Sequence, residues 1–98
     1  MFVSISRYRV KPGMEEALQE HNEEWKRDIR HHTLGFISVH VYRNPKDPQE
    51  WTSVATFVDQ YSEMANANDP EHKIWYRRWL EMLQAPPVYW QGDLVQEG

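Results

Sequence analysis

Apolar and polar positions alternate from Phe2 to Val10 ("FVSISRYRV"), the two-residue period of a half-buried strand. Lys11 to Gly13 ("KPG") is a turn. The period then lengthens. Met14, Leu18, Trp25 and Ile29 recur at helical spacing among Glu, Lys and Arg, which predicts an amphipathic helix from Met14 to about His32, with Gly35 marking its exit. Phe36 to Arg43 and Glu50 to Val58 read as two strands, joined by the loop Asn44 to Gln49 into an antiparallel hairpin. Asp59 caps a short helical piece through Met64 and Ala65. Asp69 caps a longer helix that runs to Leu83 or Gln84, where Pro86 and Pro87 follow. Val88 to Val95 is the last strand. The order β-α-β-β-α-β is the split βαβ arrangement: a ferredoxin-like α+β fold, with one antiparallel sheet and both helices on one face. Residues 1–98 make one domain of this kind.

That layout leaves the second sheet face without helices. Val3 and Ile5 lie on one face of the first strand, and Phe2, Ser4, Ser6 and Tyr8 on the other. On the second strand, strict alternation puts Ile37, Val39 and Val41 on one face and Phe36, Ser38, His40 and Tyr42 on the other. Trp51, Ala55 and Phe57 oppose Thr52, Val54 and Thr56 on the third. Neither face carries the row of charges that a solvated face usually has. An apolar sheet face is an association surface, and the expected cover is a second copy of the chain, giving a homodimer through the sheet.

Composition narrows the function classes. Five Trp, five Tyr and three Phe in 98 residues exceed what so small a core needs, so some should cover a pocket or an interface. The net charge is −4 and the basic residues are dispersed, which argues against a nucleic-acid partner. The absence of cysteine removes disulfides, thiolate metal sites and cysteine nucleophiles. No long apolar run suggests a membrane span or a signal peptide, so the expected setting is cytoplasmic. No glycine-rich phosphate loop is present, and no Glu-x-x-His or His-x-x-x-His pair, so neither a nucleotide cofactor nor a metal is expected. His21 and His32, 11 residues apart, cannot share one metal ion along a helix.

The candidate chemistry sits in "NDPEHKIWYRRWLEML", Asn68 to Leu83. On a helical wheel Trp75, Tyr76, Trp79, Leu80, Met82 and Leu83 form one apolar arc, and His72 falls near its middle. With Asp69 as N-cap and Pro70 at the first helical position, His72 is third in the helix. The helix dipole and burial both disfavour its charged form there, while Asp69 and Glu71 favour it. A neutral imidazole able to accept a proton is the expectation. The alternative is a histidine that bonds a backbone carbonyl at the edge of the core. Trp75, Tyr76 and Trp79 are either core or the wall of a pocket for a flat ligand. His40 is a second candidate, sharing a face with Ser38 and Tyr42 in positions similar to those of Ser4 and Ser6 on the first strand. It equally suits a bond across strands or across a dimer.

Three stretches taken in order resemble the dimeric α/β-barrel superfamily, in particular its antibiotic biosynthesis monooxygenase domains: "RYRVKPGMEEALQE", "GFISVHVYRNPKDPQEWTSVATFVDQ" and "ANDPEHKIW". The resemblance spans nearly the whole chain. It implies a pocket between the helices and the concave sheet of each subunit. It also implies oxygenase activity without metal or flavin on a phenol or quinol; joined to the placement of the residues above, this makes His72 the expected base, with Trp75, Tyr76, Trp79, His40 and Ser6 against the substrate. Where the family often has a "WES"-like run, this chain has Phe57 to Asp59. The haem-degrading branch is characterised by an Asn–Trp–His triad. Ser6, Asn66 and either Trp75 or Tyr76 stand at those positions here, so haem degradation does not carry over. A non-catalytic homodimer that binds a hydrophobic small molecule or haem is the competing reading. A domain with a filled core and no pocket is the third.

Overall fold

The computed structural model describes residues 1–98. Its elements are β1 (Phe2–Arg9), α1 (Glu15–Asp28), a 3₁₀ turn (Arg30–His32), β2 (Phe36–Asn44), β3 (Asp47–Phe57), α2 (Gln60–Asn68), α3 (Pro70–Glu81) and β4 (Val88–Asp93). The four strands form one antiparallel sheet in the order β2-β3-β1-β4, the ferredoxin-like α+β layout that the alternating pattern implied. No helix is long and apolar enough to cross a membrane.

The caps behave as their residue types require. Asp59 accepts a hydrogen bond from the Ser62 backbone N–H, and Asp69 accepts one from Glu71 N–H, so each helix start satisfies an otherwise orphaned donor. Several boundaries differ from the pattern. α2 runs on to Asn68 rather than stopping near Ala65, and β4 ends at Asp93 rather than Val95. α1 ends at Asp28 and tightens into the 3₁₀ turn before Gly35, whose positive φ of 77° and overlap of any added Cβ with the Ser62 side chain both demand glycine. The β2–β3 hairpin closes through only Pro45 and Lys46, so Asp47 to Gln49 belong to the strand. α3 stops at Glu81. Beyond it Met82 and Leu83 bond back three residues, and the chain turns to pair with the end of β1 through Lys11 N–H to Met82 O and Gln84 N–H to Arg9 O.

β2 also contains a bulge. Phe36 pairs with Phe57 but Ser38 pairs with Thr56, so Ile37 is an extra residue and strict alternation fails there. Phe36 therefore shares the helix-side face with Val39 and Val41. Ser38, His40 and Tyr42 lie on the outer face beside Thr56, Val54 and Thr52.

Side-chain size along the helix-side face decides where the core is. At one end Tyr8 and Trp51 pair across strands and pack with Val10, Leu18, Trp79 and Leu83, and Tyr8 meets Trp79 edge-on at 4.8 Å. At the other end Phe2 and Phe57 pair, and Phe36 bridges Phe57 to Trp25. Each of these large side chains contributes about 1.5–3 kcal/mol by leaving water. Between the two ends the central strands β3 and β1 offer only Ser4, Ser6, Ser53 and Ala55, with Val39 and Val41 beside them on β2 and Tyr89 and Gln91 on β4. Helices propped up by aromatics at both ends cannot descend onto so low a floor, and a cleft remains between them and the sheet.

The outer face has no such cover. Val88, Trp90 and Tyr42 are 70%, 60% and 59% exposed there, around Val3, Ile5 and Val54. Trp90 folds over Gly92, where a side chain would collide with the indole. Charge appears only toward one end, as Arg7–Glu50 at 3.0 Å and Arg9–Asp47 at 2.6 Å.

Candidate functional site

The cleft holds about 1070 Å³ and opens to solvent along one side. Ser4, Ser6, Ser53 and Ala55 form its floor, and Trp25, His72, Trp75, Tyr76 and Trp79 form much of its roof. It lies just above the range of roughly 300–1,000 Å³ for small-molecule sites. A cavity beside His72 removes the reading of a filled core without a pocket.

The roof depends on the pairing of α1 with α3. The α1 stripe Leu18, His21, Trp25 and the α3 stripe His72, Trp75, Tyr76, Trp79 each repeat at three- and four-residue intervals, so the two helices meet along their length. His21 is buried, and its ring is stacked parallel on Trp75 with centroids 4.7 Å apart. His21 Nε2 lies 2.7 Å from the Trp75 carbonyl oxygen, which can only accept, so Nε2 carries the proton. The Trp75 indole N–H donates back to the His21 carbonyl at 2.7 Å. Glu24 Oε2 stands 3.5 Å from His21 Nδ1. Trp75 is thus a strut between helices that also shows an edge to the cleft. Trp79 is mainly core, and Tyr76 lies between the two states.

One turn nearer the start of α3 the partnership is reversed. The Trp25 indole N–H donates to His72 Nδ1 at 3.1 Å. An indole nitrogen cannot accept, so Nδ1 holds its lone pair, and in a neutral imidazole the proton then resides on Nε2. His72 Nε2 has no partner in the chain and is not buried, since the one buried unpartnered side-chain polar atom is Asn66 Oδ1. Burial pushes the His72 pKa down, and the Asp69 carboxylate pushes it back up by less. The neutral form expected from the sequence therefore holds, with a difference: the lone pair that would take a proton is already engaged by Trp25. That bond spans two helices and 47 residues. Periodicity placed Trp25 on the inward stripe but contained nothing to pair it with His72.

His40 is not brought to this place. The bulge at Ile37 reverses the facing expected from plain alternation, and His40 lies on the outer sheet face, stacked 6.4 Å from Tyr42 and paired with Val54. Ser6 does line the cleft, opposite Ser53 and Tyr89.

Other polar groups surround the floor. Burial pushes the Tyr8 hydroxyl up to about 12, partly offset by its contact with Ser53 Oγ at 2.6 Å, so it stays protonated. Burial also raises the Tyr76 pKa. Glu63 on α2 is shifted upward by burial, and a hydrogen bond with Gln91 moderates the shift. Glu63, Asn66 and Gln91 reach the cleft from α2 and β4, and the sequence reading named none of them as site residues. No cluster of three or more potential metal-ligating side chains is present.

Residues 1–78 match the antibiotic biosynthesis monooxygenase family. The chain belongs to that family. Its fold is shared with an antibiotic biosynthesis monooxygenase homologue from Bordetella bronchiseptica (20% identity, 97% of each chain, TM-score 0.81). It is also shared with a conserved protein from Methanosarcina mazei Go1 (15% identity, 93% of this chain and 89% of that one, TM-score 0.83). A family homologue from Caulobacter crescentus CB15 superposes with a TM-score of 0.85 at 9% identity, over 97% of this chain and 90% of that one. No curated protein matches the sequence. At these identities the structural likeness speaks for the fold, and the chemistry has to be read from the cleft itself.

Proposed function

We propose that this family member is a homodimeric oxygenase acting on a small, flat phenol- or quinol-type substrate in the helix–sheet cleft, with His72 as the catalytic contact to the substrate oxygen. The observation that carries this reading is the aromatic cleft with a neutral histidine whose free ring nitrogen is unpartnered. Trp75, Tyr76 and Trp79 suit the face of a fused-ring substrate, and the serine floor leaves room for its thickness. The family name and the aromatic lining agree on an electron-rich ring that reacts with oxygen directly. A ring methylene plus O₂ gives a ring carbonyl plus water, by carbon–oxygen bond formation to a peroxide and loss of water. The substrate is the only reductant, and every atom is accounted for. The enzyme's task is to hold the ring, stabilise charge on its oxygen and exclude bulk water.

Oxygen uptake with an anthrone or a tricyclic quinol tests this. Uptake should exceed that of the His72→Ala variant by about 10–100-fold, the value of one hydrogen bond to a charged oxygen. Equal rates in the two proteins would sink the reading.

The competing reading, a carrier of haem or another hydrophobic molecule, is less well supported for haem. Ligation of iron through Nε2 needs the proton on Nδ1, and Trp25 occupies Nδ1 as a donor. The dimer part of the proposal rests on the uncovered outer face, where a second copy would bury Trp90, Tyr42 and Val54. Val54→Lys, at the centre of that face, should convert a dimer to monomers in sedimentation velocity. A mass unchanged by the substitution would rule this interface out.

A further inference from the structure

We propose that Trp25 sets His72 as a hydrogen-bond donor, so that the site takes its ligand as a phenolate whose oxygen accepts from His72 Nε2–H. This rests on the aromatic-ligand reading above and changes the role of the histidine within it. A neutral phenol would not be deprotonated by His72. The phenol gives its proton to solvent, and the cleft binds the anion that remains: ArOH gives ArO⁻ and H⁺, and ArO⁻ then meets Nε2–H.

Three observations carry the argument. First, the donor is fixed. Trp25 is buried, its ring packs edge-on against Phe36 at 4.9 Å, and its N–H has His72 Nδ1 as partner at 3.1 Å. Protonating Nδ1 would set two N–H groups against each other, and turning the imidazole over would bring Cδ2–H to the indole N–H; either leaves a buried indole donor unsatisfied. Second, the ring is held. His72 stacks on Trp75 and Tyr76 at 5.8 and 6.0 Å, so its plane is set by two neighbours of its own helix. Third, the remaining nitrogen is free. Nε2 has no protein partner and is not buried, and His72 lines the cleft. Lys26, Arg43 and Lys73 line the same cleft, as do Glu16, Glu20, Glu23 and Glu63, so the charges of the lining nearly balance and the directed donor at His72 decides the preference. A donor of fixed direction in a partly desolvated aromatic site favours an acceptor oxygen that bears charge. Trp25 also lines the roof of the cleft, but in this argument it is a positioning residue acting through His72.

The test uses 4-nitrophenol, whose phenolate is coloured, with the full-length chain. The wild type should bind the phenolate in preference to the neutral phenol, moving the ionisation of the bound probe to lower pH. His72→Ala should lose about 10–100-fold in phenolate affinity. His72→Gln decides the role. Its amide oxygen can accept from Trp25 and its NH₂ can donate into the cleft, yet an amide cannot act as a base at neutral pH. It should therefore keep most of the phenolate binding that His72→Ala loses. Trp25→Phe keeps the ring against Phe36 without the N–H and should reduce the preference for phenolate. In nitrogen NMR the wild-type His72 ring should show an unprotonated Nδ1 and a protonated Nε2, and Trp25→Phe a mixture of tautomers. A protonated Nδ1 in the wild type, a His72→Gln variant as weak as His72→Ala, or equal binding of phenol and phenolate would each overturn the proposal. If Trp25→Phe does not fold, the wild-type spectrum and the alanine–glutamine pair still decide. None of these readouts involves oxygen, so intact phenolate selection without oxygen uptake removes the oxygenase reading and leaves this one standing.

Discussion

Two histidine–tryptophan pairs tie α1 to α3, and they end in opposite states. In the first, His21 on α1 and Trp75 on α3 exchange bonds with each other's backbone carbonyls, and their rings lie parallel. The donor capacity of both side chains is spent on holding the helices together. In the second the residue types swap helices. Trp25 on α1 donates to His72 on α3, and the rings cross nearly at right angles, at 85°. Here one nitrogen is used and the other is left over. The same two residue types make a closed clasp in one place and a directed, unspent donor in the other. What separates them is where the bond goes. Bonds to backbone carbonyls close the account of the His21 pair, whereas a side chain-to-side chain bond leaves one end of His72 free at the cleft.

This contrast can be broken most forcefully at the clasp. His21→Ala removes a buried bond and a stacked ring and leaves the Trp75 carbonyl without its partner. It should lower stability by about 2–4 kcal/mol in urea unfolding, while 4-nitrophenol binding falls far less than in His72→Ala. The reciprocal substitution sharpens the point. His72→Ala should cost only about 1–2 kcal/mol of stability, chiefly through the unsatisfied Trp25 N–H, although its effect on the ligand is the larger. Equal stability losses at the two histidines would mean that both pairs are structural. The smallest effect is on pH dependence. Because burial depresses the folded-state pKa of His72, the unfolded chain takes up its proton first as pH falls below the usual 6.5. Stability should therefore decline from that point until the folded ring also protonates, then level off as far as this group is concerned. His72→Gln should remove that step. A stability–pH curve between pH 7 and 5 unchanged by the substitution would contradict it.

Much of the frame was legible because it depends on local rules. Alternation at Phe2 to Val10, the Asp59 and Asp69 caps, and the inward arc of α3 each follow from residues within a few positions of one another. The helix starts came out where aspartate placed them. The end of α3 did not, because Leu83 leaves the helix to pair with Val10, a contact between distant parts of the chain. The same holds for the site. His72 could be placed on the inward face by spacing alone, and Ser6 on the same face of β1 as Phe2 and Tyr8, but alternation does not tell which sheet face meets the helices. The tautomer of His72 could not be read, because it is set by an indole 47 residues away. His40 was misplaced for a subtler reason. A single extra residue at Ile37 shifts the phase of β2, and alternation carries no sign of where such a shift occurs.

That bulge also bears on how copies of the chain can aggregate. β2 is an edge strand, and its backbone groups would otherwise invite another strand to add alongside and extend the sheet without limit. An extra residue near its start interrupts the regular ladder of donors and acceptors and twists the edge away from a flat template. The outer face thus stays apolar while the strand beside it resists open-ended growth. At this margin of the sheet, one isoleucine out of step works against strand addition.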